Sequence, residues 1–156
     1  MQSLFRVLVA ENNPDDLFFL EGAFEQAEIV ASVNYVRDGQ ELLDYLRGEP
    51  PFGNRVLYPF PTMVVLDLAL PRIDGFRVLA WLRNEAGLQD LVLVVLSGSE
   101  VPEDLERAYG LGALEYIVKP SRPQDLVLVV RRLERLWREL NAEPALVAAK
   151  PAALSG

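Results

Sequence analysis

The chain predicts an α/β domain, a parallel five-stranded sheet covered by helices on both faces. Three observations point there. Short apolar runs and segments with helical spacing alternate five times along the chain. The runs, residues 4–10, 29–36, 62–66, 91–96 and 114–118, carry little polar alternation, as strands buried on both faces do. The length of 156 residues, 51% of them hydrophobic, suits one domain with a sizeable core. Right-handed crossovers then favour a doubly wound (βα)5 sheet of the flavodoxin-like order 2-1-3-4-5.

The first run, with Val7 and Val9, reads as a strand. Asn13-Pro14 fits a helix N-cap followed by proline in the first turn, and Asp15 and Asp16 lie where the helix dipole favours anions. Phe18, Phe19, Ala23, Phe24 and Ala27 then recur at helical spacing. After the second strand, Asp38-Gly39 opens a helix through Leu42, Leu43, Tyr45 and Leu46, and Gly48 ends it. Residues 49–61 hold four prolines and a Gly-Asn pair, a long connection of the kind that carries function. Asp74-Gly75 starts the next helix, with Phe76, Val78, Leu79, Trp81 and Leu82. Residues 101–109 form a short helix stopped by Gly110 and Gly112, and the last helix spans 123–140. Residues 1–140 thus make the domain, and 141–156, rich in Ala and Pro, a tail without core-forming pattern.

The composition excludes several function classes. No apolar run approaches the roughly 18 residues of a membrane span, and Met1-Gln2-Ser3 lacks the regions of a signal peptide. There is no cysteine, so neither a disulfide framework nor a thiolate metal site. The expectation is a cytoplasmic protein. Histidine is also absent, which removes His-dependent triads, His metal clusters and a phosphohistidine carrier. A net charge of -8 argues against direct nucleic-acid binding.

In an open parallel sheet, ligands bind outside the carboxyl ends of the strands. Glu11-Asn12, Asp67, Ser97 and Lys119-Pro120 each follow a strand, so a carboxylate, an amide, a hydroxyl and an ammonium would share one crevice. Asp67 could attack an electrophilic phosphorus and form an acyl phosphate; its plainer role is a turn cap. Glu11, Asp67 and the Asn12 amide oxygen are donors of the type that Mg²⁺ takes; the plainer roles are a strand-end charge and simple caps, and Asn13 is read as a cap. Lys119 stands out among 15 basic residues that are otherwise nearly all Arg, and a compact ammonium suits phosphate as a point charge. The bland alternative is a solvated surface lysine. A cis Lys119–Pro120 bond would aim it into the crevice. Gly98 leaves room beside the Ser97 hydroxyl, which otherwise satisfies backbone. Each signal is weak alone, and their shared location makes the set specific.

These residues, in this order, resemble the receiver domain of bacterial response regulators. The matching stretches are Val9-Ala10-Glu11-Asn12-Asn13-Pro14, Val65-Leu66-Asp67-Leu68-Ala69-Leu70-Pro71, Asp74-Gly75, Leu96-Ser97-Gly98 and Tyr116-Ile117-Val118-Lys119-Pro120. The likeness covers residues 4 to 138. The loop at 49–61 and the ending Leu133-Glu134-Arg135-Leu136-Trp137 resemble the single-domain regulators that partner bacterial phytochrome histidine kinases. The resemblance implies that Asp67 is the phosphoacceptor, supplied by a sensor histidine kinase. It places Glu11, the Asn12 position, Asp67 and the Ala69 backbone carbonyl on Mg²⁺. Ser97 and Tyr116 become the switch pair, and Lys119 contacts the phosphoryl oxygens.

One departure matters. The family usually carries a carboxylate at the Asn12 position. An amide keeps an oxygen and loses a charge, so Mg²⁺ binding should be weaker than usual, while repulsion in the metal-free pocket is relieved. Output is expected through protein contacts, with no effector domain following. Trp137 and Leu140, at the far end of the last helix, are candidates for a homodimer surface. The leading expectation is a phosphorylatable switch that catalyses only its own phosphoryl chemistry. A non-phosphorylated scaffold or kinase-docking protein, supported by Asn12, is the main alternative. A flavin or nucleotide protein or small phosphatase is less favoured, since Glu11-Asn12-Asn13-Pro14 has no glycine for a phosphate loop.

Overall fold

The computed structural model describes residues 4–85 and 87–141; the tail from 142 onward lies outside them. Five strands, β1 (Arg6–Ala10), β2 (Ser32–Val36), β3 (Met63–Leu66), β4 (Val92–Ser97) and β5 (Glu115–Val118), form one parallel sheet in the order β2-β1-β3-β4-β5. This is the expected topology. The helices are α1 (Pro14–Gln26), α2 (Gly39–Arg47), α3 (Gly75–Asn84), α4 (Pro102–Gly110) and α5 (Leu126–Leu140).

Strand residues alternate between two apolar layers, as the period of two requires. Val7, Val9, Met63, Val65, Val94 and Leu96 pack with Leu20, Phe24, Val130 and Leu133 of α1 and α5. Leu8, Ala10, Val64, Leu66, Leu93 and Val95 pack on the opposite side with Leu42, Leu79, Leu82 and Ala108 of α2, α3 and α4. β1, β3 and β4 are buried on both faces as expected. β2 is an edge strand, and only Val36 in it is fully buried.

The helix starts follow their caps. Asn13 Oδ1 accepts the N–H groups of Asp15 and Asp16, with Pro14 at the first position of α1. Asp38 and Asp74 cap α2 and α3 by accepting from Glu41 and Arg77 N–H. Gly48 closes α2 at φ 72°, the left-handed conformation that glycine adopts without strain. Several expected boundaries shift. Leu4, Ile29 and Leu91 lie outside strands. α4 runs through Gly110 and turns at Gly112, where φ is 105°. The last helix begins with a 3-10 turn over Pro123–Asp125.

The 49–61 connection is packed. Phe52 and Tyr58 meet Tyr45 of α2 with ring centroids 5.2 and 5.9 Å apart. Arg55 donates to the carbonyls of Tyr45 (2.9 Å), Leu46 (3.1 Å) and Tyr58 (3.2 Å), tying the loop to the end of α2. Trp137 and Leu140 have different surroundings. Trp137 stacks on Phe5 at 5.0 Å and is half-buried, whereas Leu140 is half-exposed. No helix of the described residues is long and apolar enough to cross a membrane.

Candidate functional site

The strand ends carry the site because the sheet ladder continues one step beyond them. Glu11 N–H donates to Val36 O (3.0 Å), Asp67 N–H to Ala10 O (3.0 Å) and Lys119 N–H to Ser97 O (2.8 Å). The side-chain alternation continues too. Val7, Val9 and then Glu11, Met63, Val65 and then Asp67, and Ile117 and then Lys119 all step onto the α1/α5 side. Glu11, Asp67 and Lys119 therefore meet. Ser97, which continues Leu93 and Val95, and Tyr116 belong to the other side.

Lys119 Nζ lies 2.7 Å from Glu11 Oε1, 2.8 Å from Asp16 Oδ2 and 3.0 Å from Asp67 Oδ2. Glu11 and Asp67 are buried, and each has its other oxygen held by backbone. Glu11 Oε2 accepts Asn13 N–H at 3.1 Å, and Asp67 Oδ1 accepts Ala69 N–H at 3.1 Å. Burial pushes the Glu11 carboxyl above the ordinary value, the charge of Asp67 adds to this, and the bond to Lys119 opposes it. Burial alone would lower the Lys119 ammonium, but hydrogen bonds to Asp16, Glu11 and Asp67 outweigh it and raise the net value. The lysine is thus a firmly held cation.

The backbone under Asp67 is fixed by a close approach. Gly75 N–H donates to Leu68 O at 2.9 Å. A Cβ at Gly75 would sit 2.6 Å from Leu68 Cα and 2.7 Å from Asp67 O, so only glycine lets α3 start there.

Ser97 is buried and its Oγ accepts Ser99 N–H at 3.2 Å. The neighbouring Gly98 is exposed, with open space where a Cβ would stand. Tyr116 is buried, and its hydroxyl donates to Ser99 O at 2.9 Å, which joins β5 to the loop after β4. Asn12 and Ala69 are exposed beside the crevice. The Lys119–Pro120 bond is not cis; among the described residues the cis bond falls at Pro50–Pro51. Lys119 reaches the crevice through its strand parity instead.

Sequence reasoning missed Asp16, reading it only as an anion favoured by the helix dipole. It heads the buried stripe of Leu20, Ala23 and Phe24 on α1, and the i, i+4 relation to Leu20 was the available signal. A cavity of about 280 Å³ opens beside these groups, between α1 and the segment after β5, lined by Asp16, Phe19, Lys119 and Pro120 among others.

Three carboxylates against one ammonium leave a surplus of negative charge, and hard oxygen donors of this kind suit a divalent cation. Among the described residues, no three acidic side chains already converge in metal-holding geometry, because Lys119 lies between them. The donor set fits a cation that takes oxygens from Glu11 and Asp67 and fills its remaining positions from amide, carbonyl and water.

Comparison with known proteins agrees with this geometry. The response regulator receiver domain family model matches residues 7–131. A probable methanogenesis regulatory protein, FilR2 of Methanothrix harundinacea, is 34% identical over 140 residues, 90% of this chain and 88% of that protein. Among solved structures, the response regulator RPA3017 in red light signalling of R. palustris superimposes with TM-score 0.82 and 38% identity, covering 90% of this chain and 97% of that one. The phosphorylated cyanobacterial phytochrome response regulator RcpA gives TM-score 0.80 and 30% identity, over 91% and 99% of the two chains. With five parallel strands in the order 2-1-3-4-5 and an acidic crevice closed by one lysine, the chain belongs to the response regulator receiver domain family.

Proposed function

We propose that this receiver is a phosphorylatable switch whose Asp67 accepts a phosphoryl group from the phosphohistidine of a sensor histidine kinase. The observation that supports it is the gathering of buried Asp67 and Glu11 around Lys119 at the carboxyl edge of the sheet. In the transfer, an Asp67 carboxylate oxygen forms the O–P bond as the P–N bond to the donor imidazole breaks. The imidazole nitrogen leaves with the electron pair. Lys119 meets phosphoryl oxygens, and the Ser97 hydroxyl moves toward the phosphoryl group with Tyr116 as its aromatic partner. Mg²⁺, held by Glu11, Asp67, the Asn12 amide oxygen and the Ala69 carbonyl, would neutralise charge on the transferred group. Asn12 makes that binding weaker than a carboxylate would. The domain is a signalling switch rather than a turnover enzyme.

A phosphohistidine must come within bonding distance of Asp67, so the donor protein has to cover the rim of the crevice. The exposed Phe18 and Phe19 of α1 give that rim an apolar surface. The red-light and phytochrome regulators among the structural neighbours favour a phytochrome-type kinase as the donor. Output passes by protein contact, and the exposed Leu140 at the end of α5, with Trp137 beside it, supports a homodimer. The acidic charge disfavours nucleic acid, and the partner kinase implies the cytoplasm.

Asn12 favours a second reading, a receiver that docks a kinase without being phosphorylated. One experiment separates the two. Native protein and Asp67→Asn are incubated with a small acyl phosphate and Mg²⁺, and intact masses are read. One added phosphoryl group on native protein alone supports the switch; none on either supports the scaffold.

A further inference from the structure

Neither the transfer chemistry nor the strand-end pattern uses Asp16. We propose that Asp16 is a positioning residue that holds Lys119 in a standby pose and releases it when a phosphoryl group arrives, an inference that rests on Asp67 being the phosphoacceptor. An ammonium has three N–H donors. Here all three face carboxylates, at 2.7 Å (Glu11), 2.8 Å (Asp16) and 3.0 Å (Asp67). A phosphoryl group on Asp67 inherits the donor that Asp67 now holds, because the carboxylate charge passes to the phosphoryl oxygens, and a second phosphoryl oxygen can reach Lys119 only by displacing Glu11 or Asp16. Releasing Glu11 would deprive a buried carboxylate of this chain's own cation, since its side chain is 5% exposed. The Asp16 side chain is 38% exposed, and water can take over its solvation. Asp16 is the partner that gives way.

Its position suits exchange. Glu11 and Asp67 are pinned through their second oxygens by backbone N–H groups, whereas Asp16 projects from the first turn of α1 and can turn outward without moving the sheet. Asp16 thus competes with the phosphoryl group for Lys119 and makes phosphoryl occupancy less favourable.

The test uses fluoroberyllate, a noncovalent mimic of the phosphoryl group, titrated with Mg²⁺ into native protein, Asp16→Asn, Asp16→Glu and Asp15→Asn. Asp15 lies on the same turn, is exposed and is not a partner of Lys119, so Asp15→Asn removes the same charge without the contact. Asp16→Asn should bind the mimic about fivefold tighter, the scale of one partly exposed charged hydrogen bond. Asp15→Asn should stay within about twofold, and Asp16→Glu should return toward native. A metal-free readout accompanies this. Lys119 and Lys150 are the only lysines, so acylation by an amine reagent is mapped cleanly with Lys150 as reference. Lys119 labelling should rise in Asp16→Asn alone. Equal affinities for Asp16→Asn and Asp15→Asn, or unchanged Lys119 labelling, overturn the inference while leaving the switch intact. Native protein that binds no mimic and gains no phosphoryl mass overturns both.

Discussion

Replacing Lys119 by methionine keeps most of the stem and deletes the ammonium. Three carboxylates at 2.7–3.0 Å then lose their shared partner. Each contact is about 6 kcal/mol of gross attraction at an effective dielectric of 20, most of it offset by the cost of taking the ions out of water. Removing one partner of a buried ion pair typically costs 3–5 kcal/mol. Because Asp16 is partly solvated, the lower end applies, about 3 kcal/mol. For a domain near this size that lowers Tm by roughly 6–12 °C. Urea unfolding and a thermal scan of metal-free protein at neutral pH measure it. The deficit should shrink in acid, since protonating Glu11 removes an unpaired buried charge, and Mg²⁺ should restore part of it by supplying another cation. A Lys119→Met protein melting within about 2 °C of native, with no change in that gap on acidification, would refute the assignment of the lysine as the electrostatic centre of the crevice.

Three further predictions follow from individual residues. Glu11 has its folded value raised above 4.5, so in the window just above 4.5 the native state holds a proton that the unfolded chain has released. Native stability therefore falls as pH rises through that window; relative to Glu11→Gln, native metal-free protein should lose ground as pH rises above 4.5, and a difference that is flat or grows refutes the burial argument. Gly75→Ala should cost about 2 kcal/mol, because its Cβ would press on Leu68 Cα and Asp67 O. It should also depress phosphoryl uptake more than an alanine at the unobstructed Gly22. Asn12→Asp should tighten Mg²⁺ about tenfold by restoring a charged ligand, and a calorimetric titration with unchanged affinity would remove Asn12 from the metal site.

Much of the fold was readable because its signals are local. Asn13-Pro14, Asp38-Gly39 and Asp74-Gly75 mark helix starts through bonds spanning two or three residues, and the structure makes each of those bonds. The misjudged features are those that neighbours decide. Ile29 looked like strand, but the ladder beside β1 begins at Ser32, opposite Arg6. A cis bond was one way to aim Lys119 into the crevice, but alternation from Ile117 already aims it. Trp137, a dimer candidate at the end of a long helix, also has a partner that no local pattern shows, since Phe5, more than 130 residues earlier, stacks on it.

The sequence by itself determined the five-unit α/β order and which strand ends carry Glu11, Asp67, Ser97 and Lys119, since hydrophobic period and cap chemistry act over a few residues. Only the tertiary structure decided what surrounds the ammonium. Asp16 reaches Lys119 across 103 positions, through the packing of α1 against the sheet, and no local pattern specifies a distance of that kind.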